Sequence, residues 1–497
     1  MTISHVSHRW REIALASPLF WSTIKCSLPL LAHVMQGTQA PGDRSIMTKG
    51  EWVRHVEVII STTREWIARS RNAPLRLYVE IAGLDTAVPS WARVPVKALL
   101  DLLLSVAPRW KEVDFVINLP PPPAHHVPED LCPFTLVSPL LNPPVKDLIS
   151  LTHVTLDYEL FASEEEVPDS PRIFHAPNLA SLSIPRGMML LACSLQAHRK
   201  TLKHLSIGHV GYGPRNFQSS PLLSSIWLSF LRPCNSLTSL YLSFPLNFMD
   251  EPPITPGRRR IGVLDMPFLE ELTLEGAPAA LNVPSFIDAP RLRSLALYHH
   301  PAKVFDQHHG YIPNVLEWVA KYAHQLKSLA FSNTEISKVE LIGLLEALDG
   351  LENLEVWENE RMDPADARRA YLDWYLLPAP ARDDPPGVWD EDIIRRLTPP
   401  FFFEGDRSKS GDLGPYLLPH LQFLGIRSRG RHPFRRESLE LMIKARKEAV
   451  KVDGSVGRLR KVLVSSEGRH VQPVVDSETD PHVFSYLYDE RLVPKGL

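Results

Sequence analysis

The sequence predicts an α/β protein: an irregular repeat solenoid with a curved parallel sheet inside and helices on its convex side. Three observations predict it. A six-residue pattern, apolar at its first, fourth and sixth positions, recurs along the chain. The 497 residues exceed one ordinary core, which stops growing at about 250–300 residues, so an elongated array or several domains is expected. The 46 prolines cut the chain into short elements separated by stiff turns, which leaves little room for long helices to dominate.

The copies open at Leu151, Leu179, Leu202, Leu237, Leu269, Leu292, Leu326, Leu351, Leu421 and Leu459, with a degenerate early copy at Trp110. In the copy Leu269, Leu272 and Leu274, the last two apolar residues alternate with polar ones. That period of two belongs to a strand with one buried face. The first leucine leads the chain into the strand. A single copy means little, but an ordered series of them is the L-x-x-L-x-L core of the leucine-rich repeat. No unit can bury its apolar face alone, so stacking neighbours must complete the core.

Spacing varies between 23 residues (179 to 202) and 35 (202 to 237), against about 20–29 in typical repeats. The longer intervals have room for a convex-side helix. Residues 224–231 and 313–323 read this way, the latter with Val315, Leu316, Val319 and Tyr322 on one face. Residues 337–348 do likewise, with Val339, Ile342, Leu345 and Leu348 together. The Asn that usually follows the strand in such repeats is mostly missing, which makes the array divergent. A proline-rich excursion at 359–419 interrupts it, helical at 364–376 and 390–397. Prolines 120–123 read as an extended spacer loop.

Composition narrows the function. A formal net charge of −3 gives no pull toward nucleic acid or anionic membrane. The four cysteines, Cys26, Cys132, Cys193 and Cys234, are too scattered for a zinc knuckle or a redox pair and read as free thiols of a reducing compartment. No signal peptide and no long apolar span is evident, so a cytoplasmic or nuclear protein without membrane contact is expected. Two histidine pairs, His299 with His300 and His308 with His309, flank Asp306; they read as a solvated loop and not a metal site. The glycines at 208, 211 and 213 read as a turn. Basic stretches at 258–260 and 427–436 read as solvated loops. No constellation of nucleophile, acid and base is present. The expectation is a protein that is not an enzyme, takes no cofactor and holds no metal.

The surface expected to act is the sheet's concave face, whose residues alternate with the buried leucines. Most are small, such as Ser181, Ser183, Ser206 and Ser239. His204, Tyr241, Glu271 and Asn353 are the larger candidates for holding a protein partner. The competing reading is that small residues merely suit a tightly curved sheet.

The N-terminus carries a second signal. Val6, Trp10 and Ile13 fall at helical spacing, Pro18 stops the helix, and Leu19, Trp21 and Ile24 form a second apolar patch. Two tryptophans so close together need a surface to bury them. These residues resemble the C-terminal half of an F-box, roughly V-C-x-x-W-x-x-[IL]-A-x-x-x-x-L-W-x-x-[IL], over residues 5 to 25. Trp66, Ile67, Arg69, Ser70, Pro74, Leu75 and Leu77 resemble the segment that follows the box in F-box-like proteins expanded in fungi, which then carry irregular leucine-rich repeats. The resemblance implies a substrate adaptor of a Skp1–cullin–F-box ubiquitin ligase, with a Skp1-type adaptor at the box and an unidentified protein target on the repeats. Without ligase association, the same chain would be a protein-binding scaffold. The opening L-P-x-E-[IL] helix of the box is absent, so the chain as it stands is expected to bind the Skp1-type adaptor weakly or not at all. Val6, Trp10, Ile13, Leu19 and Trp21 then either dock that adaptor or cap the open end of the array. The expected organisation is a partial F-box at 1–28, a linker at 29–50, the solenoid at 51–358, the insertion at 359–419, terminal repeats at 420–474 and a tail at 475–497.

Overall fold

The computed structural model describes residues 8–29, 31, 34, 47–82, 88–118, 133–158, 171–185, 201–208, 230–243, 263–276, 287–299, 319–332, 338–357, 389–399, 416–428, 436–452, 456 and 459–466. The α/β class is the expected one. Thirteen strands form one sheet, arranged in chain order, and the strand pairs described below are parallel. No described helix is long and apolar enough to cross a membrane. The chain divides into two compact units, Met1–Leu292 and Arg293–Leu497.

The first unit opens with α1 (His8–Ala16), a 3-10 turn (Pro18–Trp21) and β1 (Thr23–Leu28). Next come α2 (Lys49–Ser70), β2 (Leu75–Ala82), α3 (Ser90–Leu104), β3 (Trp110–Asn118) and α4 (Pro133–Leu141). Strands β4 (His153–Tyr158), β5 (Ser181–Pro185), β6 (His204–Gly208) and β7 (Ser239–Ser243) carry the repeats onward. Two-residue strands β8 (Leu264–Asp265) and β10 (Ile287–Asp288) form a separate small sheet, with β9 (Glu271–Gly276) lying between them in sequence. The copies at Leu179, Leu202, Leu237 and Leu269 supply the successive main-sheet strands β5, β6, β7 and β9.

The reason is visible residue by residue. Each leading leucine is buried, and so are the fourth and sixth positions: Leu205 and Ile207, Leu240 and Leu242, Leu272 and Leu274. The residue after the leading leucine sets the register through its carbonyl. Thr152 O accepts from Ala180 N (2.9 Å) and Ser181 N (3.0 Å), and Ala180 O in turn accepts from Lys203 N and His204 N. Lys203 O and Thr238 O repeat this toward the next copy. One acceptor thus fixes two donors in each successive repeat, and a one-residue slip would break the ladder and turn the leucines out to water.

The 22-residue α2 is longer than the proline count suggested, because no proline falls within it. Thr48 starts it with a capping box: Glu51 N donates to Thr48 Oγ1 (3.2 Å) and Thr48 N to Glu51 Oε2 (2.7 Å). Hydrogen bonding from Thr48 to the Glu51 carboxylate, from the backbone N–H first and the side chain second, holds that carboxyl below its usual range. Cys26 Sγ lies 3.3 Å from Thr63 Oγ1 of this helix, and burial pushes the Cys26 thiol up. Cys26 and Cys234 are free and buried, while Cys132 and Cys193 lie outside the described residues.

The second unit contains β11 (Ser294–His299), β12 (Ser328–Ser332), α5 (Lys338–Ala347) and β13 (Asn353–Trp357). It continues with α6 (Glu391–Arg396), β14 (Phe423–Ser428), α7 (Arg436–Val452) and β15 (Lys461–Ser466). The copies at Leu292, Leu326, Leu351, Leu421 and Leu459 lead into its five strands in parallel register. The carbonyl ladder recurs through Arg293, Lys327, Glu352 and Gln422. Here side chains join it: Lys327 Nζ meets Glu352 at 3.2 Å, and Gln422 Nε2 donates to Glu352 Oε2.

Helix α5 lies where expected, and two residues of its expected face, Leu345 and Leu348, are buried, but the other two are not. Val339 is 79 % exposed and Ile342 only half-buried, while Leu341, Leu344, Leu345 and Leu348 are buried. That set has the i, i+3, i+4, i+7 spacing of a core-facing stripe. The sequence contains both stripes, and packing selected the one made of leucines. The expected helices at 224–231 and 364–376 fall wholly or mostly outside the described residues, as do the polyproline loop and most of the insertion. The helix expected at 390–397 is α6.

Candidate functional site: the exposed sheet face

Alternate residues of the sheet line up in rows across neighbouring strands. In the first unit one row runs Arg76, Glu112, His153, Ser181, His204, Ser239 and Glu271. The next exposed row contains Lys25, Tyr78, Asp114, Thr155, Ser183, Ser206, Tyr241 and Thr273. These residues are exposed or half-buried, whereas the rows between them are buried. The physical cause is the pleat, which turns successive side chains to opposite faces.

Three expected site residues share this face. His204 and Glu271 stand exposed in one row, separated by Ser239. Tyr241 is half-buried in the adjoining row and donates from its hydroxyl to Glu275, so its ring is already held in place. Asn353 belongs to the second unit, where it is half-buried on β13 and paired in register with Ser328 and Phe423. Nearby, a Cβ on Gly425 would come within 3.1 Å of Glu355 Cγ and 3.3 Å of the Phe423 ring, so the glycine lets these side chains close over the strand.

Sequence reasoning missed the charge on β2–β4. Glu80, Glu112, Asp114 and Asp157 crowd this face with two cations, Lys25 and Arg76. Arg76 Nε pairs with Glu112 at 3.2 Å, and Lys25 Nζ sits 5.6 Å from the Tyr78 ring centre. Ser27 Oγ donates to Glu80 at 2.8 Å. Burial raises the carboxyl pKa of Asp114, the Asp157 charge raises it further, and burial raises Asp157. The alternation around Val113 and Phe115 was a sufficient signal for Asp114. Asp157 stands one position past the six-residue pattern and escaped it.

At the N-terminal end the five expected residues separate. Val6 and the Trp10 side chain lie outside the described residues, although Trp10 falls within α1. Trp21 is buried, edge-on to Trp66 at 5.2 Å between ring centres, with the Arg69 guanidinium 4.4 Å from its own ring centre. Its Nε1 donates to Ala14 O at 2.7 Å, tying the turn back onto α1. Ile24 is a sheet residue, paired with Leu77. Ile13 (43 % exposed) and Leu19 (71 % exposed) face solvent, together with Leu15 and Phe20. Trp21 therefore holds the element together, and its apolar neighbours form the outer surface.

A third cluster lies in the second unit. Arg446 of α7 is fully buried; its Nε donates to Leu397 O (2.9 Å), and Nη2 donates to Leu417 O (3.0 Å) and Leu418 O (2.9 Å). It thereby ties together chain segments on either side of residues 400–415. Burial pushes its pKa down to about 10, which leaves the guanidinium charged at neutral pH. Among the described residues no group of three or more His, Cys, Asp or Glu side chains is placed to hold a metal ion. The two histidine pairs around Asp306 lie outside the described residues, His299 by its side chain. No protein-family model matches this chain, and no curated protein matches it either.

Proposed function

We propose that this chain is a leucine-rich-repeat-type solenoid that binds a protein on the exposed face of its sheet and acts by binding, not by catalysis. The observation that carries the reading is the register. One conserved phase of alternation holds across the strands of each unit, so small and polar side chains form an ordered face of adjoining strands. A surface that holds its side chains in fixed rows loses little entropy when a partner settles on it. A photo-crosslinking residue at Ser183 or Ser206 should capture a protein from an extract of the source cells. The same residue at Val94, exposed on α3, should not. Equal capture from both positions would remove this reading.

The finer proposal is a substrate adaptor of a cullin-type ubiquitin ligase, working in the cytoplasm or nucleus. The exposed Ile13, Leu15, Leu19 and Phe20 favour docking over capping, because a cap would bury them. The test is a pull-down with a purified Skp1-type adaptor. The chain as it stands should bind weakly, and a version extended by an L-P-x-E-[IL] helix should bind well. In the extended version Leu19→Asp should abolish binding. Failure of both versions would leave the protein-binding scaffold.

A further inference from the structure

We propose that the solvent face of β2–β4 takes a Lys/Arg-rich extended segment of the bound protein, anchored by Asp114 and Asp157. This rests on the sheet-face reading above and gives that face a partner chemistry. Register places Asp114 opposite Thr155 and Val116 opposite Asp157, so the two carboxylates are diagonal neighbours on adjoining strands. Both side chains are half-buried, and neither forms an ion pair among the described residues. The cations of this face are engaged elsewhere: Arg76 by Glu112 and Lys25 over the Tyr78 ring. Two half-buried, uncompensated charges that repel each other cost folding stability. Folds keep such a cost where function needs it, and a cationic side chain from a partner would remove it. The chain's formal net charge is only −3, so the acidic excess is a property of this face and not of the protein at large. An extended segment carries alternate side chains about 6.7 Å apart, and the strands it would cross are about 4.8 Å apart. Alternating cations on one segment therefore reach carboxylates on neighbouring strands. The same field repels nucleic acid.

The test uses the full chain and two fluorescent peptides, Lys-Ala-Lys-Ala-Lys-Ala-Lys-Ala and its Glu-Ala counterpart, followed by fluorescence anisotropy. The lysine peptide should bind at about 50 mM salt and weaken at least about tenfold at about 500 mM, where screening shortens the reach of the charges. The double variant Asp114→Asn, Asp157→Asn should also bind it about tenfold more weakly, and the glutamate peptide should not bind. Because removing the two charges relieves repulsion, the double variant should melt at the same temperature as the parent or higher, so lost binding is not lost folding. Three results would each overturn the proposal: unchanged affinity in the double variant, equal binding of both peptides, or no binding of the lysine peptide to the folded parent. In each case crosslinking from Ser183 and Ser206 still reports on the sheet-face reading, which fails only if those positions capture nothing specific.

Discussion

Leu272 occupies the fourth position of its repeat and is 1 % exposed, with Leu240 its register partner on β7. Truncation there removes transfer energy and leaves a cavity. Leu272→Ala should therefore cost ~2–5 kcal/mol in a denaturant melt. A cost below ~1 kcal/mol would mean that the residue is not a core leucine. Asp114 behaves in the opposite sense. Burial and Asp157 raise its folded pKa above the unfolded value. Its contribution is then most favourable below the ordinary aspartate range, about pH 3.9. It is lost as pH rises through the folded pKa, where the charge must form in a half-buried site. Asp114→Asn should therefore stabilise at pH 7, by no more than about 1 kcal/mol after solvent screening. The gain should vanish below about pH 4. Thermal melts of both proteins across that range check the sign. Arg446 is a residue that sequence alone misreads: in an amphipathic helix an arginine suggests a solvated face, and here it donates to three carbonyls in the interior.

At the scale of elements, α5 and α6 are joined by charge. Lys338 Nζ lies 2.5 Å from Asp390 and 3.1 Å from Asp392, and Arg396 Nη1 lies 3.0 Å from Glu346. The Asp390 hydrogen bond is the main reason the Lys338 pKa is raised. Burial alone would raise Asp392, but hydrogen bonds from Arg395 and Lys338 outweigh it and hold that carboxyl low. The two signs define a window. The Asp392 contribution is present above its ordinary range and lost as pH falls through its folded pKa. The Lys338 contribution is present below its ordinary value and lost as pH rises through its folded pKa. The clip should therefore be complete between about pH 4 and pH 10. Lys338→Met should cost less than about 1 kcal/mol at pH 7, because the pair is partly exposed, and the cost should shrink as pH falls below the ordinary aspartate range and through the folded pKa of Asp392. A cost that survives at acid pH would assign the loss to packing and not to charge. Other elements show what pattern reading catches and misses. Strands β5 to β7 and β9 were legible because apolar residues recur at fixed offsets. Helix α2 is not legible from the repeats, although Thr48 and Glu51 spell a capping box, because it precedes the first copy at Trp110.

For the whole molecule, the sheet's strands differ in how many neighbours they have. In a strand flanked on both sides every ladder amide has a partner on one neighbour or the other, whereas on an edge strand the outward-facing amides have none and exchange freely. Among the described residues β1 and β15 are the edges of the main sheet. Native-state hydrogen exchange should find the amides of β6 and β7 protected more strongly than those of β1. The opposite order would contradict the strand sequence of the first unit. The acidic face belongs to this scale as well, because Glu80, Glu112, Asp114 and Asp157 come from three strands and are neighbours only once β2, β3 and β4 pair.

The sequence by itself determined that the repeat copies enter strands, which face of those strands is buried, and that they follow one another in chain order; β1, β2, β8 and β10 lie outside the repeated pattern. Those properties depend on alternation and on short-range spacing, and both can be read along one dimension. Tertiary structure decided the rest. It selected the leucine stripe of α5 over the one containing Val339, and it placed Trp21 inside while leaving Leu19 outside. It also buried Arg446 and brought Asp114 and Asp157 together without a cation. Each of these depends on what lies across a gap of tens of residues in the chain. Burial free energy and electrostatics are set by neighbours in space, and those neighbours exist only after the ladder of carbonyl acceptors has fixed the register.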